Sequence, residues 1–362
     1  MRIFEIIPNL SSGGAERFTV DLCNELSGRG HEVTLICLFD IDRHDGMDFY
    51  LPQVDKRIRI IQLDKKFGFD KKLFGKLTRL IRKERPDVVH SHLRALMYLM
   101  PIYFKNSGIR FVHTVHNDAR KEAEDKLNIF CRKLAFRSGR CLAVTISEES
   151  DRSFVDFYGA KANRVLIANG SPKFEVDPKC ATELIEAKTA NKTVIVNVAR
   201  LEPQKNQLEL AIAARKFPEV EFFNIGNDTS DYAQEVKAIA PANFHILGQR
   251  INPRDYMAAA DAFILSSVFE GMPITLIESF AVGCIPIVTP AGGVKNMVRD
   301  GFNGIVAKTP EAHAIADAIR RFIALDNNQR AKMCQKAAES YTPYSISRCA
   351  EEYVNIFERN GD

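Results

Sequence analysis

Arg2-Ile3-Phe4-Glu5-Ile6-Ile7-Pro8-Asn9-Leu10-Ser11-Ser12-Gly13-Gly14-Ala15-Glu16-Arg17 opens as an apolar run of strand length, turns at a glycine pair and enters a helical pattern. The same succession returns along the chain. Glu32 to Leu38, Asp87 to His90, Arg110 to Val115, Cys141 to Thr145 and Arg164 to Ile167 read as strands, with helical patterns between them. Such alternation predicts a parallel sheet with helices on both faces, the doubly wound α/β architecture. Asn169-Gly170-Ser171-Pro172, with the polar residues up to Lys179, is rich in turn formers and marks a boundary. A second alternation follows, with strands at Thr193 to Val198, Val220 to Ile225, Asn243 to Leu247, Ala262 to Leu265 and Ile285 to Val288, and helical stretches such as Asn206 to Lys216. At 362 residues the chain exceeds what one core usually organises. The expected division is 1–170, 171–340 and a terminal segment, 341–362, in which Tyr344 to Glu358 is helical with Cys349, Tyr353, Ile356 and Phe357 on one side.

Composition excludes several classes. Residues are 46% hydrophobic and 27% charged, as in ordinary globular chains. The apolar start is too short for a secretory signal, and no run reaches transmembrane length. Eight scattered cysteines without C-x-x-C spacing (Cys23, Cys37, Cys131, Cys141, Cys180, Cys284, Cys334 and Cys349) read as buried thiols in a reducing cytosol. Net charge is +4, yet Lys65 to Arg85 holds nine Lys or Arg against Asp70 and Glu84. Within it Leu73, Phe74, Leu77, Leu80 and Ile81 recur at helical spacing. Two readings stand: a surface helix docked on its own sheet, or one that also meets an anionic membrane surface. Nucleic acid is not expected, because no recognised binding motif accompanies the charge.

In open parallel sheets ligands bind beyond the carboxyl ends of strands, so the residues there are the candidates. Gly13-Gly14 is either a plain turn or a loop whose following amides receive phosphate. Arg200 and Lys205, after Thr193 to Val198, suit a diphosphate, or else lie in a solvated loop. Ser266-Ser267-Val268-Phe269-Glu270-Gly271-Met272-Pro273-Ile274-Thr275-Leu276-Ile277-Glu278 follows an apolar strand and runs into a helix. Its two glutamates can bind sugar or ribose hydroxyls, and the amides of Gly271, Met272, Ile274 and Thr275 are donors that Pro273 lacks. The alternative is an acidic helix cap with Glu278 merely on the surface. Asp40-Ile41-Asp42 has Asp-x-Asp spacing but reads as a solvated loop, so no metal motif is assigned.

In this order along the chain, these residues resemble the retaining glycosyltransferases of GT-B architecture with a Glu-x7-Glu signature (glycosyltransferase family 4, "glycosyl transferases group 1"). The resemblance implies two Rossmann-like domains facing each other across a deep cleft, the first binding acceptor, the second binding nucleotide-sugar, and the last helix returning to the first. It implies that Glu270 contacts sugar hydroxyls, Glu278 the ribose, Arg200 and Lys205 the diphosphate, and Gly14 the donor from the first domain. His116, in Val112-His113-Thr114-Val115-His116-Asn117, matches the histidine placed near the donor sugar, with His113 and His92 as nearby alternatives. Asn227 and Arg250, the latter in Phe244 to Arg250, are expected to line the nucleotide pocket. The implied reaction moves a sugar from a nucleoside-diphosphate sugar, UDP-sugar favoured, to a glycan or polyprenyl-linked saccharide in bacterial surface polysaccharide synthesis, without metal or other cofactor. A cytoplasmic enzyme with an added contact at the inner-membrane surface is expected, and a nucleotide-sugar 2-epimerase-like isomerase is the alternative. Gly292-Gly293-Val294-Lys295-Asn296 departs from the family pattern, which commonly has Pro-Glu there.

Overall fold

A computed structural model describes residues 1–104, 108–123 and 125–358. The chain forms two compact units, Met1–Ser171 with the segment from Ile346 onward, and Pro172–Ser345.

The first unit is built on seven parallel strands: β1 (Arg2–Ile7), β2 (Glu32–Cys37), β3 (Arg59–Gln62), β4 (Val88–His92), β5 (Arg110–Val115), β6 (Leu142–Thr145) and β7 (Arg164–Leu166), in the order β3-β2-β1-β4-β5-β6-β7. The second has six: β8 (Thr193–Val198), β9 (Val220–Ile225), β10 (Phe244–Ile246), β11 (Ala262–Leu265), β12 (Ile285–Val288) and β13 (Ile305–Val306), ordered β10-β9-β8-β11-β12-β13. Both sheets reverse winding direction once, between β1 and β4 and between β8 and β11. Loops leaving strands at such a switch point diverge to opposite faces and open a crevice there. β3 and β13 are additions to the sequence reading. β3 is an edge strand with exposed and half-exposed residues, and β13 has only two residues, so neither presents the continuous apolar run of a buried strand.

The basic helix is Lys71–Glu84, capped by Asp70, whose carboxylate accepts from the Lys72 amide at 2.9 Å. Leu73, Leu77 and Ile81 are buried at one-turn spacing, and Phe74 and Leu80 pack beside them on the core of the first unit. Its apolar face is therefore turned onto its own sheet. Burial of each such side chain stabilises the fold by about 1.5–3 kcal/mol.

The final helix, Ile346–Glu358, belongs to the first unit and packs on the Gly14–Gly28 helix, with Ile346, Cys349, Ala350, Tyr353, Ile356 and Phe357 buried. Arg29 fastens its start, donating to Ser347 Oγ at 2.8 Å. Tyr344, expected inside this helix, lies in the preceding 3₁₀ turn. Cysteine placement corrects one expectation: Cys180 is exposed and Cys334 half-buried, whereas the other six are buried free thiols. No described helix is long and apolar enough to cross a membrane.

Candidate active site

At the switch point of the second sheet, the loops after β8 and β11 are stitched together. The β8 loop carries a 3₁₀ turn, Pro203–Lys205, then Asn206 in the left-handed conformation, and the helix proper runs Gln207–Ala214, shorter than the Asn206 to Lys216 read from sequence. Val268 N donates to the Gln204 carbonyl at 2.9 Å, Gln204 Nε2 to the Phe269 carbonyl at 2.9 Å, Ser266 Oγ to the Lys205 carbonyl at 2.8 Å and Asn206 Nδ2 to the Ser266 carbonyl at 3.1 Å. This lattice fixes both backbones, and it brings Lys205 Nζ to 2.7 Å from Glu270 Oε1. Ser267 Oγ donates to the same oxygen at 2.6 Å. Glu270 is buried and Lys205 keeps 20% of its side chain exposed, so the pair sits at the mouth of the crevice. Ser267 was missed by sequence reading, being one of two adjacent serines with nothing to distinguish it.

Gly292 and Gly293, which precede the departure at Lys295 and Asn296, lie against the main chain of Glu270. Gly293 N donates to the Glu270 carbonyl at 3.2 Å. Gly292 has φ of +50°, and a Cβ there would overlap that same carbonyl oxygen. The glycine pair thus clamps the main chain of the catalytic candidate.

The helix below Glu270 is Ile274–Ala281, with Pro273 as its N-cap. The amides of Ile274 and Thr275 lie in its first turn, where no carbonyl of the helix can reach them. Gly271, Met272 and Thr275 border the same helix start. Arg200, after β8, is exposed and pairs with Glu202 at 3.3 Å, while its backbone carbonyl is held by Gln207 Nε2 at 2.9 Å.

Three further candidates are engaged by protein partners. Glu278 is buried, and its Oε1 is ion-paired with Arg254 at 2.7 Å, whose guanidinium lies over the Phe174 ring. Asn227 Oδ1 accepts from Thr229 N at 3.1 Å and from Thr229 Oγ1 at 2.8 Å, closing its own turn. Arg250 donates to Tyr256 at 3.3 Å and Glu183 at 3.4 Å, bracing neighbouring helices.

The remaining two belong to the first unit. Gly14 begins the Gly14–Gly28 helix behind Gly13, and the carboxylate of Glu16 folds back towards Ser11 at 3.5 Å. His116 follows β5. It is half-buried, its amide donates to Glu122 Oε2 at 2.6 Å, and its Nε2 lies 2.9 Å from His92 Nδ1. His113 points to the other face, fully buried, with Nδ1 2.9 Å from Ser91 Oγ and Nε2 3.5 Å from Glu122. Burial would raise the Glu122 carboxyl, but Arg132 at 2.8 Å, with His113, holds it well below the usual range. This cluster is a buried ionic tie without access to ligand. Asp40 pairs with Arg43 at 2.8 Å and Asp42 accepts from Gln62 at 2.7 Å, both at the surface.

Among the described residues one group has metal-ligand spacing: Glu5, His90 and His92, all buried in the first sheet.

Two family models match the chain: Glycosyltransferase Family 4 over residues 12–170 and Glycosyl transferases group 1 over residues 182–340. Among curated relatives, the UDP-Gal:alpha-D-GlcNAc-diphosphoundecaprenol alpha-1,3-galactosyltransferase of Escherichia coli is 25% identical, covering 88% of this chain and 86% of its own. A lipopolysaccharide core biosynthesis glycosyltransferase of Rhizobium meliloti is 25% identical over 95% of each chain. In fold, the chain is similar to HepE of Anabaena, solved with UDP and glucose, at a TM-score of 0.83 and 20% identity over 98% of each chain. Together with the two parallel sheets, this likeness identifies the fold as GT-B.

Proposed function

Because this chain belongs to the group 1 glycosyltransferases, we propose that it is a retaining hexosyl- or N-acetylhexosaminyltransferase using a nucleoside-diphosphate sugar, UDP-sugar favoured, in bacterial surface polysaccharide assembly. The observation that carries this reading is Lys205 joined to buried Glu270 at the switch point, above the start of the Ile274–Ala281 helix. On donor binding, Lys205 and Arg200 neutralise the diphosphate, and the first-turn amides of Ile274 and Thr275 donate to a phosphate oxygen. The bond from the anomeric carbon to the phosphate oxygen breaks, the acceptor hydroxyl oxygen bonds that carbon from the same face, and its proton passes to the departing phosphate. Glu270 and His116 hold sugar hydroxyls. Glu278, ion-paired with Arg254 through Oε1, contacts the ribose. With two cations supplied by the chain, the reaction needs no divalent metal.

The relatives of Escherichia coli and Campylobacter jejuni are named for undecaprenyl-linked saccharides, and the acceptor proposed here is of that polyprenyl-linked class. Such an acceptor requires work at a membrane surface, on the cytoplasmic face. The basic helix cannot offer its apolar side, which is buried. A better contact is the exposed stripe Leu127, Phe130 and Leu134 on the Lys126–Arg137 helix, with Lys126, Lys133 and Arg137 on the same helix and exposed Phe67 and Phe69 nearby. Phe69 stacks on Tyr98, and Arg94, on the same 3₁₀ helix Leu93–Leu99 as Tyr98, pairs with Asp125 at the start of the Lys126–Arg137 helix.

A thermal-shift panel of UDP-, GDP-, ADP- and dTDP-sugars, with and without chelator and repeated on Lys205→Ala, tests the assignment. A metal-independent shift by one nucleotide, lost in the variant, supports it. Conversion of donor without acceptor would favour the isomerase.

A further inference from the structure

One face of the first sheet is unusual for a buried surface. Glu5 on β1 stands beside His90 on β4 in register, and His92, Thr114 and His116 follow on the same face of β4 and β5 or just beyond. Glu5, His90, His92 and Thr114 are fully buried. They form one hydrogen-bonded chain. Glu5 Oε2 lies 2.9 Å from His90 Nδ1 and 2.9 Å from His92 Nε2. His90 Nε2 meets Thr114 Oγ1 at 2.8 Å, which meets Tyr353 OH of the final helix at 2.7 Å. At the other end His92 Nδ1 meets His116 Nε2 at 2.9 Å. Phe18 covers the chain edge-on, 5.7 Å from the His116 ring.

Valence decides which way the protons lie. A neutral imidazole has one N–H and one lone pair, and an ionised carboxylate only accepts. With Glu5 ionised, His90 Nδ1 and His92 Nε2 must be the protonated nitrogens. His90 Nε2 is then bare and accepts from Thr114, which is able to accept in turn from Tyr353. His92 Nδ1 is also bare, so it accepts from His116 Nε2–H. Burial pushes the His90 and His116 imidazoles down to about 3, which keeps both neutral.

We infer that Glu5, acting through His92, fixes His116 as the Nε2–H tautomer and so presents Nδ1 as a hydrogen-bond acceptor to a hydroxyl of the donor sugar. The role rests on the function proposed above; the tautomer does not. Glu5 and His92 are positioning residues here, since neither reaches substrate. The opposite arrangement, with His116 donating from Nδ1, requires a protonated Glu5 or a metal ion held by Glu5, His90 and His92, because either would leave His92 Nδ1 carrying the proton.

The test is nitrogen NMR of the full chain labelled with ¹⁵N-histidine, the His116 signals being assigned by their loss in His116→Gln. The expected wild-type result is a protonated Nε2 and a bare Nδ1 at His116. Glu5→Gln, whose amide must donate to one of the two imidazoles, should mix or reverse that tautomer and lower kcat roughly tenfold or more, the range lost when a positioned group is misaligned, with KM for donor little changed. Should Glu5→Gln fail to fold, His92→Gln keeps the link to Glu5 but offers no acceptor at the Nδ1 position, and should release the tautomer equally. A wild-type His116 protonated at Nδ1 overturns the inference. So does one equivalent of tightly bound metal in the purified protein that is absent from Glu5→Gln. A tautomer that switches while kcat stays constant also overturns the catalytic role; the Lys205 variants, which act in the other unit, then report separately on whether the transferase reading stands.

Discussion

Lys205→Met removes the charge from the 2.7 Å pair with Glu270 while keeping most of the aliphatic stem. Glu270 stays buried with only the Ser267 hydroxyl, 2.6 Å away, to satisfy that oxygen. Breaking a fully buried pair from one side costs about 3–5 kcal/mol; because Lys205 is 20% exposed and water can reach the gap, about 2–3 kcal/mol is expected. For a unit of this size, spanning Pro172–Ser345, that corresponds to a fall in Tm of roughly 5–8 °C. Turnover should fall by about 100-fold or more, the scale lost when one preorganised group at a developing charge is removed. The double variant Lys205→Met/Glu270→Gln separates the two effects. With both charges gone the desolvation penalty disappears, so Tm should return to within about 2 °C of wild type, while turnover stays low. Scanning calorimetry and nucleotide release from the donor identified by the panel are the assays. A double variant as unstable as the single one would refute the pairing argument, and a near-wild-type rate in Lys205→Met would refute the site.

Three other outcomes follow from the geometry. Gly292→Ala combines a left-handed φ with overlap on the Glu270 carbonyl, so it should cost about 1–3 kcal/mol by urea titration and depress turnover more than binding of free nucleotide; unchanged kinetics would show that the clamp does not position Glu270. His90 and His113 have imidazoles pushed down by burial to about 3 and about 4, so the unfolded chain binds their protons first as pH falls below about 6.5. Their contribution is complete above that pH and is lost on acidification at about 1.4 kcal/mol per pH unit for each, opposed only near and above pH 4.5 by Glu5, whose carboxyl is raised by burial; urea midpoints that stay flat between pH 7 and 5 would contradict neutral buried histidines. Leu127→Glu/Phe130→Glu/Leu134→Glu should abolish co-sedimentation with phosphatidylglycerol vesicles without altering Tm by more than about 4 °C, because surface changes rarely exceed about 0.5 kcal/mol each; unchanged sedimentation would remove the exposed stripe as the contact.

The strands at Arg2–Ile7, Arg110–Val115, Thr193–Val198, Val220–Ile225, Ala262–Leu265 and Ile285–Val288 were legible because strands covered on both faces read as predominantly apolar runs. β3 was not, being an edge with one side open. At the site, the Glu270 loop and Lys205 stood out because each follows a strand and precedes a helix. Their contact could not be read, since it depends on two loops 65 positions apart meeting at a switch point. The same limit hid the partner of Glu278: Arg254 lies on a different helix, and only tertiary packing shows the ion pair. Glu5 is the clearest case. In sequence it is one charge inside an apolar run, and its meaning appears only when register places it between two histidines 85 and 87 residues away.

The return of the last helix to the first unit has a consequence for synthesis. Tyr353 must reach Thr114 across 239 positions, and Arg29 must reach Ser347 across 318. Domains emerging from the ribosome ordinarily fold in order, N-terminal first. Here the first sheet emerges early but its covering helix is made last, after the whole of Pro172–Ser345. The middle of the protein can therefore be native while the beginning still lacks the helix whose Tyr353 packs on Phe18. A chain interrupted short of Tyr353 would therefore hold a finished second unit and an unfinished first.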